Sequence, residues 1–265
     1  ECGAVDGQLA EIRTFMQKQN EALLATQSQY HKDRSRLESL TNLTERYEGY
    51  GNSIRRIMER KKQNPDILGV VADLIHTEKK YETAIETALG GSIQNIVTRD
   101  EETAKQMITY LKSNKLGRAT FLPLTSIRPQ QDSRMKQAVQ ETGAVALASS
   151  LVTTQEEVSV VKEYLLGRIL VVDTLNHAIA IAKKFGYAIR IVTLDGELLN
   201  PGGSMTGGAF KQSGNLLGRR RELEELRVLT EEERQKITEI QHSIVDKKAN
   251  RDELRRKLEE AKQKL

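Results

Sequence analysis

The last 43 residues of the chain carry a heptad pattern: LEELRVLTEEERQKITEIQHSIVDKKANRDELRRKLEEAKQKL (223–265). Apolar side chains recur there at alternating steps of three and four, which keeps them on one face of an α-helix, as in the seam of a coiled coil. Nine of the 13 seam positions are apolar. They are Leu223, Leu226, Thr230, Glu233, Ile237, Ile240, Ile244, Lys247, Arg251, Leu254, Leu258, Ala261 and Leu265.

The beginning of the chain carries a second stripe of the same kind, with 8 of 12 seam positions apolar. Because a different block of sequence separates the two stripes, the simplest pairing is intramolecular and antiparallel. We therefore predict two coiled-coil arms, residues 1–48 and 216–265; helices of an ordinary bundle are the alternative. The first seam is Leu9, Ile12, Met16, Gln19, Leu23, Thr26, Tyr30, Asp33, Leu37, Leu40, Thr44 and Tyr47.

Four seam positions hold charged residues, where apolar ones would stabilise a coiled coil most. Such residues fix the register of the two helices at a cost in stability. The sequence therefore predicts arms that pair in one register but not with maximal stability. The four residues are Asp33, Glu233, Lys247 and Arg251.

The block between the arms, residues 49–215, alternates short apolar runs with helical patterns. Such alternation favours an α/β fold with a mixed or parallel sheet covered by helices. The rhythm repeats, which predicts two lobes, about 49–124 and 143–215, joined by a polar linker at about 125–142.

Three local predictions concern the first lobe. Asn52 and Ser53 are expected to cap a short helix that begins at about Ile54. The apolar run 70–75 is predicted to be a strand. Thr77 is then expected to cap a helix that ends at Leu89, before Gly90 and Gly91.

Whole-chain properties set the broad class. The chain has 265 residues, 29% of them charged, and a net charge of +4, which is too small to indicate nucleic-acid binding without local clustering. The only cysteine is Cys2, so an intrachain disulfide is excluded and a reducing compartment is expected. Neither a membrane-spanning run nor a secretory signal is expected, which favours the cytoplasm.

The chain lacks an initial Met. Residues 1–7 are expected to be a linker or foreign to the domain, and the chain is expected to be a piece of a longer protein.

Enzymatic motifs are scarce. The four histidines are far apart in sequence, and neither H-E-x-x-H nor C-x-x-C occurs, so no metal site is expected. Asp73 and Asp195 lie at the ends of predicted strands, where a catalytic acid can lie, but a turn or cap hydrogen bond is the commoner role. No catalytic residue is predicted.

Glycines are concentrated in one segment, GGSMTGG (202–208). Glycine permits a positive φ and a close approach of backbones. Three interpretations compete: a phosphate cradle, for which the Lys of a P-loop is missing; a flexible loop; or a surface on which another backbone packs. In the third, Gly202, Gly203, Gly207 and Gly208 form the surface, and Gly90 and Gly91 are its counterpart.

Basic residues are concentrated where the block meets its arms. If the arms pair, the two clusters converge, and their joint charge would attract phosphates. The alternative is a solvated coiled-coil face, diluted by Glu222, Glu224 and Glu225. The candidate DNA-binding residues are Arg55, Arg56, Lys61, Lys62, Lys211, Arg219, Arg220 and Arg221.

Four segments between the arms resemble the hinge domain of structural maintenance of chromosomes (SMC) proteins, of the bacterial homodimeric type. The resemblance spans about 47–220, and the last segment is the most specific. The segments are NPDILGVVADLI (64–75), YETAIETALGGSIQNIV (81–97), GRATFLPL (117–124) and GYAIRIVTLDGELLNPGGSMTGG (186–208).

The resemblance implies a two-lobed hinge that forms a homodimer, with the glycine segments at the interface, in a protein for chromosome condensation and segregation. It also implies ATPase heads at the far ends of the arms, which would hold ATP and Mg²⁺, and a kleisin with its accessory subunit bound there. This chain lacks the head motifs, so it is not expected to be an enzyme or to hold a cofactor. The implied location is the nucleoid.

The sequence departs from the family after the glycine run. Relatives often carry a basic tract there, but this chain has Lys211 followed by Gln212 and Ser213. This shifts the expected DNA contact toward the arginines near the arms. The alternatives are a nucleotide- or sugar-binding α/β enzyme with helical oligomerisation arms, and a dimerising spacer that does not bind DNA.

Overall fold

Two long helices take up the two ends of the chain: α1 (Cys2–Glu45) and α9 (Leu216–Gln263). The computed structural model describes residues 2–208 and 215–263. The chain divides into two units, an arm unit of Glu1–Asn42 with Glu222–Leu265, and a core unit of Leu43–Arg221.

In the arm unit the two helices run antiparallel. Arg36 of α1 forms an ion pair with Glu222 near the start of α9, at 2.9 Å, while the Lys247 ammonium lies 5.4 Å from the centre of the Phe15 ring. Every predicted seam position that the structure describes is buried or half-buried. The heptad pattern thus predicts correctly which face of each helix is covered, and the intramolecular antiparallel pairing is confirmed.

The polar part of the seam brings two carboxylates together. Burial and the neighbouring carboxylate of Asp33 raise the pKa of Glu233. The Oε2 atom of Glu233 is buried and has no hydrogen-bond partner among the described residues. Such groups favour one register, because a shifted pairing would place them against leucines, but they lower the stability of the arm.

The core unit holds the remaining regular elements. Its other helices are α2 (Asn52–Arg60), α3 (Val71–Leu74), α4 (Glu82–Leu89), α5 (Glu101–Ser113), α6 (Ser133–Ala138), α7 (Ser159–Leu166) and α8 (Leu175–Lys184). Its strands are β1 (Ile67–Val70), β2 (His76–Thr77), β3 (Ile96–Thr98), β4 (Phe121–Pro123), β5 (Ala144–Leu147), β6 (Val152–Thr153), β7 (Ile169–Val172), β8 (Arg190–Thr193), β9 (Leu198–Leu199) and β10 (Met205–Thr206).

The strands form three sheets. One has the order β1-β3-β4, a second the order β10-β9-β8-β7-β5, and a third pairs β2 with β6. The two larger sheets are mixed: β3 is parallel to β4 and β7 is parallel to β8, while the other neighbours are antiparallel. The mixed α/β fold class predicted from the sequence is confirmed.

Alternation along the central strands divides the interior into two cores. Successive side chains of a strand point to opposite faces. In β7, Ile169 and Val171 belong to a core shared with the three-stranded sheet, whereas Leu170 and Val172 face a second core with α8. All four are buried. The lobes therefore share an interior across one face of the five-stranded sheet.

The three local predictions for the first lobe need correction. Asn52 and Ser53 do not cap α2; Gly51 precedes the helix, and the Ser53 hydroxyl donates to the Arg118 carbonyl at 2.7 Å. The predicted strand at 70–75 is wrong beyond Val70, because a helical turn, α3, follows at once. The reason is tertiary: the Val71 amide donates to the Asn95 carbonyl at 2.9 Å, outside the strand register.

Thr77 likewise does not cap a helix. It belongs to β2 and pairs with Val152, and its hydroxyl donates to the Leu151 carbonyl at 2.7 Å. A partner 74 residues further along the chain thus replaces the local cap, and α4 begins only at Glu82. The small β2–β6 sheet connects the two halves of the core unit.

Candidate interfaces of the core unit

The glycine run forms a hairpin at the edge of the five-stranded sheet. Met205 of β10 pairs with Leu199 of β9, and the Asn200 amide donates to the Ser204 carbonyl at 2.9 Å. At the turn, the Gly202 amide donates to the Tyr187 carbonyl at 2.9 Å. β10 is an edge strand, and Met205 is 58% exposed. An exposed edge of this kind can receive another chain.

Most glycines of the run are required by the conformation of their own backbone. Gly202, Gly203 and Gly208 have φ values of 88°, 92° and 131°, which side-chain-bearing residues rarely adopt. Gly207 has no such φ, and a Cβ there would lie 3.1 Å from Cγ of Glu197. All four residues are exposed. The run is thus a shaped hairpin rather than a featureless loop.

The second glycine pair follows α4. Gly90 ends the helix with a φ of 50°, whereas Gly91 has no positive φ. Among the described atoms, none lies within 4 Å of the position that a Cβ would take at either residue, nor at Gly202 or Gly208. The single chain therefore does not pack its two glycine segments against each other.

The first basic cluster lies on and after α2. This helix buries Ile54, Ile57 and Met58 and turns Arg55 and Arg56 to solvent. Arg56 pairs with Glu59 at 3.1 Å, and the Lys61 ammonium donates to the Leu68 carbonyl at 2.6 Å.

Two residues of this cluster keep their charge exposed. Within residues 2–208 and 215–263, the side chains of Arg55 and Lys62 form neither a hydrogen bond nor an ion pair. Lys211 lies outside the described residues. The exposed positive charge at this end of the core unit therefore resides chiefly in α2 and the turn after it.

The second basic cluster lies in the first turns of α9, which belong to the core unit, and fixes them there. Arg219 donates to the Glu48 carbonyl at 2.7 Å, Arg220 pairs with Asp73 at 3.4 Å, and Arg221 pairs with the buried Glu82. The three arginines are half-buried. Arg219 holds the start of α9 against the turn after α1, and Arg220 and Arg221 hold it against Asp73 and Glu82. The clustering of charge in the sequence did not predict this role.

Asp73 is the centre of a small polar network. It accepts from the Tyr47 hydroxyl at 3.2 Å and lies beside Arg220. Burial raises the pKa of Asp73 and, with the Asp73 charge, raises the pKa of Tyr47 and Tyr50. The tyrosine rings lie edge to face, 5.4 Å apart. Of the two roles considered for Asp73, the structure shows the hydrogen-bonding one, and the network fixes the turn after α1.

The first turn of α9 is capped from two sides. Asn215 Oδ1 accepts from the Gly218 amide at 2.6 Å, as an N-cap residue does. Glu86 of α4 accepts from the Leu216 amide at 2.5 Å and also from Leu217. Burial raises the pKa of Glu86 to about 7. Glu86 was not among the residues predicted from the sequence to have a role, although Glu82 and Glu86, four apart, share one helix face.

Two absences concern the residues that the structure describes. No group of three or more His, Cys, Asp or Glu side chains is placed to hold a metal ion there. None of the described helices is long and apolar enough to cross a membrane.

The fold matches that of a known domain family. The family model "SMC proteins Flexible Hinge Domain" matches residues 64–182. The structure resembles that of an asymmetric dimer of the Geobacillus stearothermophilus SMC hinge domain with a TM-score of 0.83 and 34% identity, covering 91% of this chain and 98% of that one. The chain therefore belongs to the SMC hinge domain family.

Relatives are chromosome partition proteins. The chain is 44% identical over 215 residues to the chromosome partition protein Smc of Desulfitobacterium hafniense and 42% identical over 238 residues to that of Bacillus subtilis. The matches cover 79% and 86% of this chain, but only 18% and 20% of the relatives. The Pyrococcus furiosus Smc hinge domain with an extended coiled coil matches all of the chain and 97% of its own length, with a TM-score of 0.53 and 27% identity. The chain thus spans about a fifth of the curated relatives.

Proposed function

We propose that this chain is the homodimerisation hinge of a chromosome partition protein. The observation that carries the proposal is the pair of glycine segments, which are exposed and whose missing Cβ positions face open space at Gly90, Gly91, Gly202 and Gly208. Because these glycines lack a side chain and no atom of their own chain fills the space, another backbone can approach them closely. The related Geobacillus hinge domain is described as a dimer.

The test is the mass of the isolated chain. Sedimentation from nanomolar to micromolar concentration is expected to give twice the mass of one chain, with a closed two-fold contact that does not grow further. A monomer throughout this range would contradict the proposal. Family membership favours this function over a sugar- or nucleotide-binding enzyme.

We further propose an auxiliary contact with DNA, independent of sequence. It is supported by Arg55 and Lys62, which are exposed and whose charge the described structure does not engage. Contacts of lysine and arginine with phosphates supply affinity without reading bases. A dimerising spacer that does not bind DNA is the competing function.

The DNA contact is tested by Arg55→Glu combined with Lys62→Glu. We expect weaker duplex binding and a slope of log affinity against log salt that is flatter by about 0.9 for each phosphate that the variant no longer neutralises. The control reverses Lys112 and Lys183, two exposed lysines elsewhere on the core unit. Equal effects of the two double variants would favour the spacer. Arg219, Arg220 and Arg221 are unsuitable for this test, because each also contacts another group of the core unit, so weaker binding could not be assigned to lost DNA contacts.

In the full-length protein, we propose, this segment has no catalytic role and holds no cofactor. ATP and Mg²⁺ would bind at heads beyond the arms, together with a kleisin and its accessory subunit. The protein would act in the cytoplasm, on the nucleoid. The proposal for the full-length protein is supported by the relatives, which are chromosome partition proteins of which the matched part of this chain covers about a fifth.

A further inference from the structure

A cavity of about 380 Å³ opens beside the five-stranded sheet, and no residue of the basic cluster of α2 lines it. Three arginines line it: Arg134 on α6, Arg168 before β7 and Arg190 at the start of β8. Asp132 is the only acidic residue in the lining. The volume lies in the usual range for small-molecule sites, roughly 300–1,000 Å³.

Two of the three arginines have unused binding capacity. Arg134 is engaged, since its Nη2 lies 2.7 Å from Oδ2 of Asp132. Arg168 is exposed and forms no recorded hydrogen bond or ion pair with the described residues. The Nε atom of Arg190 is buried, and no hydrogen-bond partner for it exists in the part of the chain that the structure describes. A buried donor without a partner is costly, so a native structure usually provides an acceptor.

The charges decide the class of ligand. Three guanidinium groups and one carboxylate leave two positive charges in the cavity. A guanidinium presents a planar fork of N–H donors that matches the oxygens of phosphate. The lining also includes the polar side chains of Tyr164 and Asn200, but no aromatic pair that could stack a base.

We propose that this cavity binds a phosphate group, with Arg168 and Arg190 as its donors and Arg134 as a third, shared with Asp132. The cavity lining includes none of the residues proposed above for dimerisation or for DNA contact. Asn200 and Pro201, which lead into the glycine hairpin, also line the cavity. A bound phosphate would therefore restrain the β9–β10 turn from its inner side.

Two variants test the site by opposite effects. Arg168→Ala removes an exposed donor and is expected to weaken the binding of pyrophosphate about tenfold, as for a charged hydrogen bond. Asp132→Asn removes the competing negative charge and is expected to tighten it, while Asn still caps α6. A merely structural role would not produce this tightening. Arg118→Ala, at another exposed arginine of the core unit, is the control.

Binding is measured by titration calorimetry of the whole chain at constant ionic strength, in one experiment with pyrophosphate and in another with a DNA duplex. If Arg168→Ala weakens the binding of pyrophosphate, the ligand is a free phosphate compound; if it weakens only the binding of the duplex, the ligand is a phosphate of the DNA backbone. The proposal is overturned if Arg168→Ala and Arg118→Ala have the same effect in both experiments, or if Asp132→Asn tightens the binding of neither pyrophosphate nor the duplex.

Discussion

Individual glycines at the two candidate interface segments are not equivalent. Gly90, Gly202, Gly203 and Gly208 hold positive φ values, so replacing them would strain the chain whether or not a partner is present. Gly91 has neither a positive φ nor any described heavy atom within 4 Å of its missing Cβ. A methyl group at this position would contact no described atom of the same chain. A change in dimerisation caused by it would therefore report a contact with a second chain.

Gly91→Ala is therefore expected to weaken dimerisation while the melting temperature of the monomeric unit stays unchanged. Overpacking a contact costs about 1–3 kcal/mol, and about 1.4 kcal/mol corresponds to a tenfold change, so the dissociation constant should rise about tenfold. Sedimentation across concentration measures this. The matched control is Gly7→Ala, at a glycine of the arm whose Cβ position is also open and whose φ is not positive. An unchanged dissociation constant would place Gly91 outside the interface.

The predictability of single residues depended on how far away their partners lie in the sequence. Glycines could be recognised from their local concentration. The roles of Arg220 and Arg221 could not, because their partners Asp73 and Glu82 lie 147 and 139 residues away. A run of arginines looks the same whether it faces solvent or a buried carboxylate. The candidate DNA-binding set was therefore drawn from charge alone, and its division into anchoring and exposed residues required the structure.

At the scale of elements, periodicity was the most reliable signal. The arms were predicted as a pair because a heptad stripe is a property of one helix, repeated over many turns. Short elements were less predictable. The helical turn α3 and the strand β2 are too brief to show a period, and their boundaries follow from pairing with Asn95 and Val152.

The contact between α4 and α9 has a consequence for pH dependence. Glu86 has a pKa near 7 in the folded chain, raised by burial from its usual 4.5. The folded state thus binds this proton more tightly than the unfolded state, and the contribution of Glu86 to stability falls as pH rises from 4.5 through about 7. Above that range the carboxyl group of Glu86 is largely deprotonated, which leaves a buried charge at the first turn of α9.

Glu86→Gln tests this directly. The neutral amide still offers an oxygen to the Leu216 amide but cannot titrate. The free energy of unfolding of the natural chain, minus that of the variant, is expected to decrease between pH 4.5 and about 7, the two pKa values of this group. Denaturant titrations at several pH values measure the difference, in which the other titrating groups cancel. A difference that is flat or rises with pH would refute the assignment.

At the scale of the whole molecule, the core unit is built so that the chain enters and leaves it side by side. Arg219, on the outgoing segment, donates to the carbonyl of Glu48 on the incoming one, and the Tyr47–Asp73–Arg220 network reinforces this contact. The two lobes share an interior, so this arrangement lies within one compact unit. Pattern reasoning predicted that the arms would pair, but not which residues bring their ends together.

The consequence is one of effective concentration. Two segments tethered at adjacent points meet at a local concentration of roughly millimolar, whatever the concentration of the protein. A seam weakened by Asp33, Glu233 and Lys247 can then remain closed, although separate helices of the same sequence would dissociate. We expect peptides 1–48 and 216–265, mixed at micromolar concentration, to show much less helical circular dichroism than the same peptides joined by a short flexible linker. Equal helicity would mean that the seam alone holds the two helices together. A large difference would mean that the helices need a tether, so that unfolding the core unit would also separate the arms.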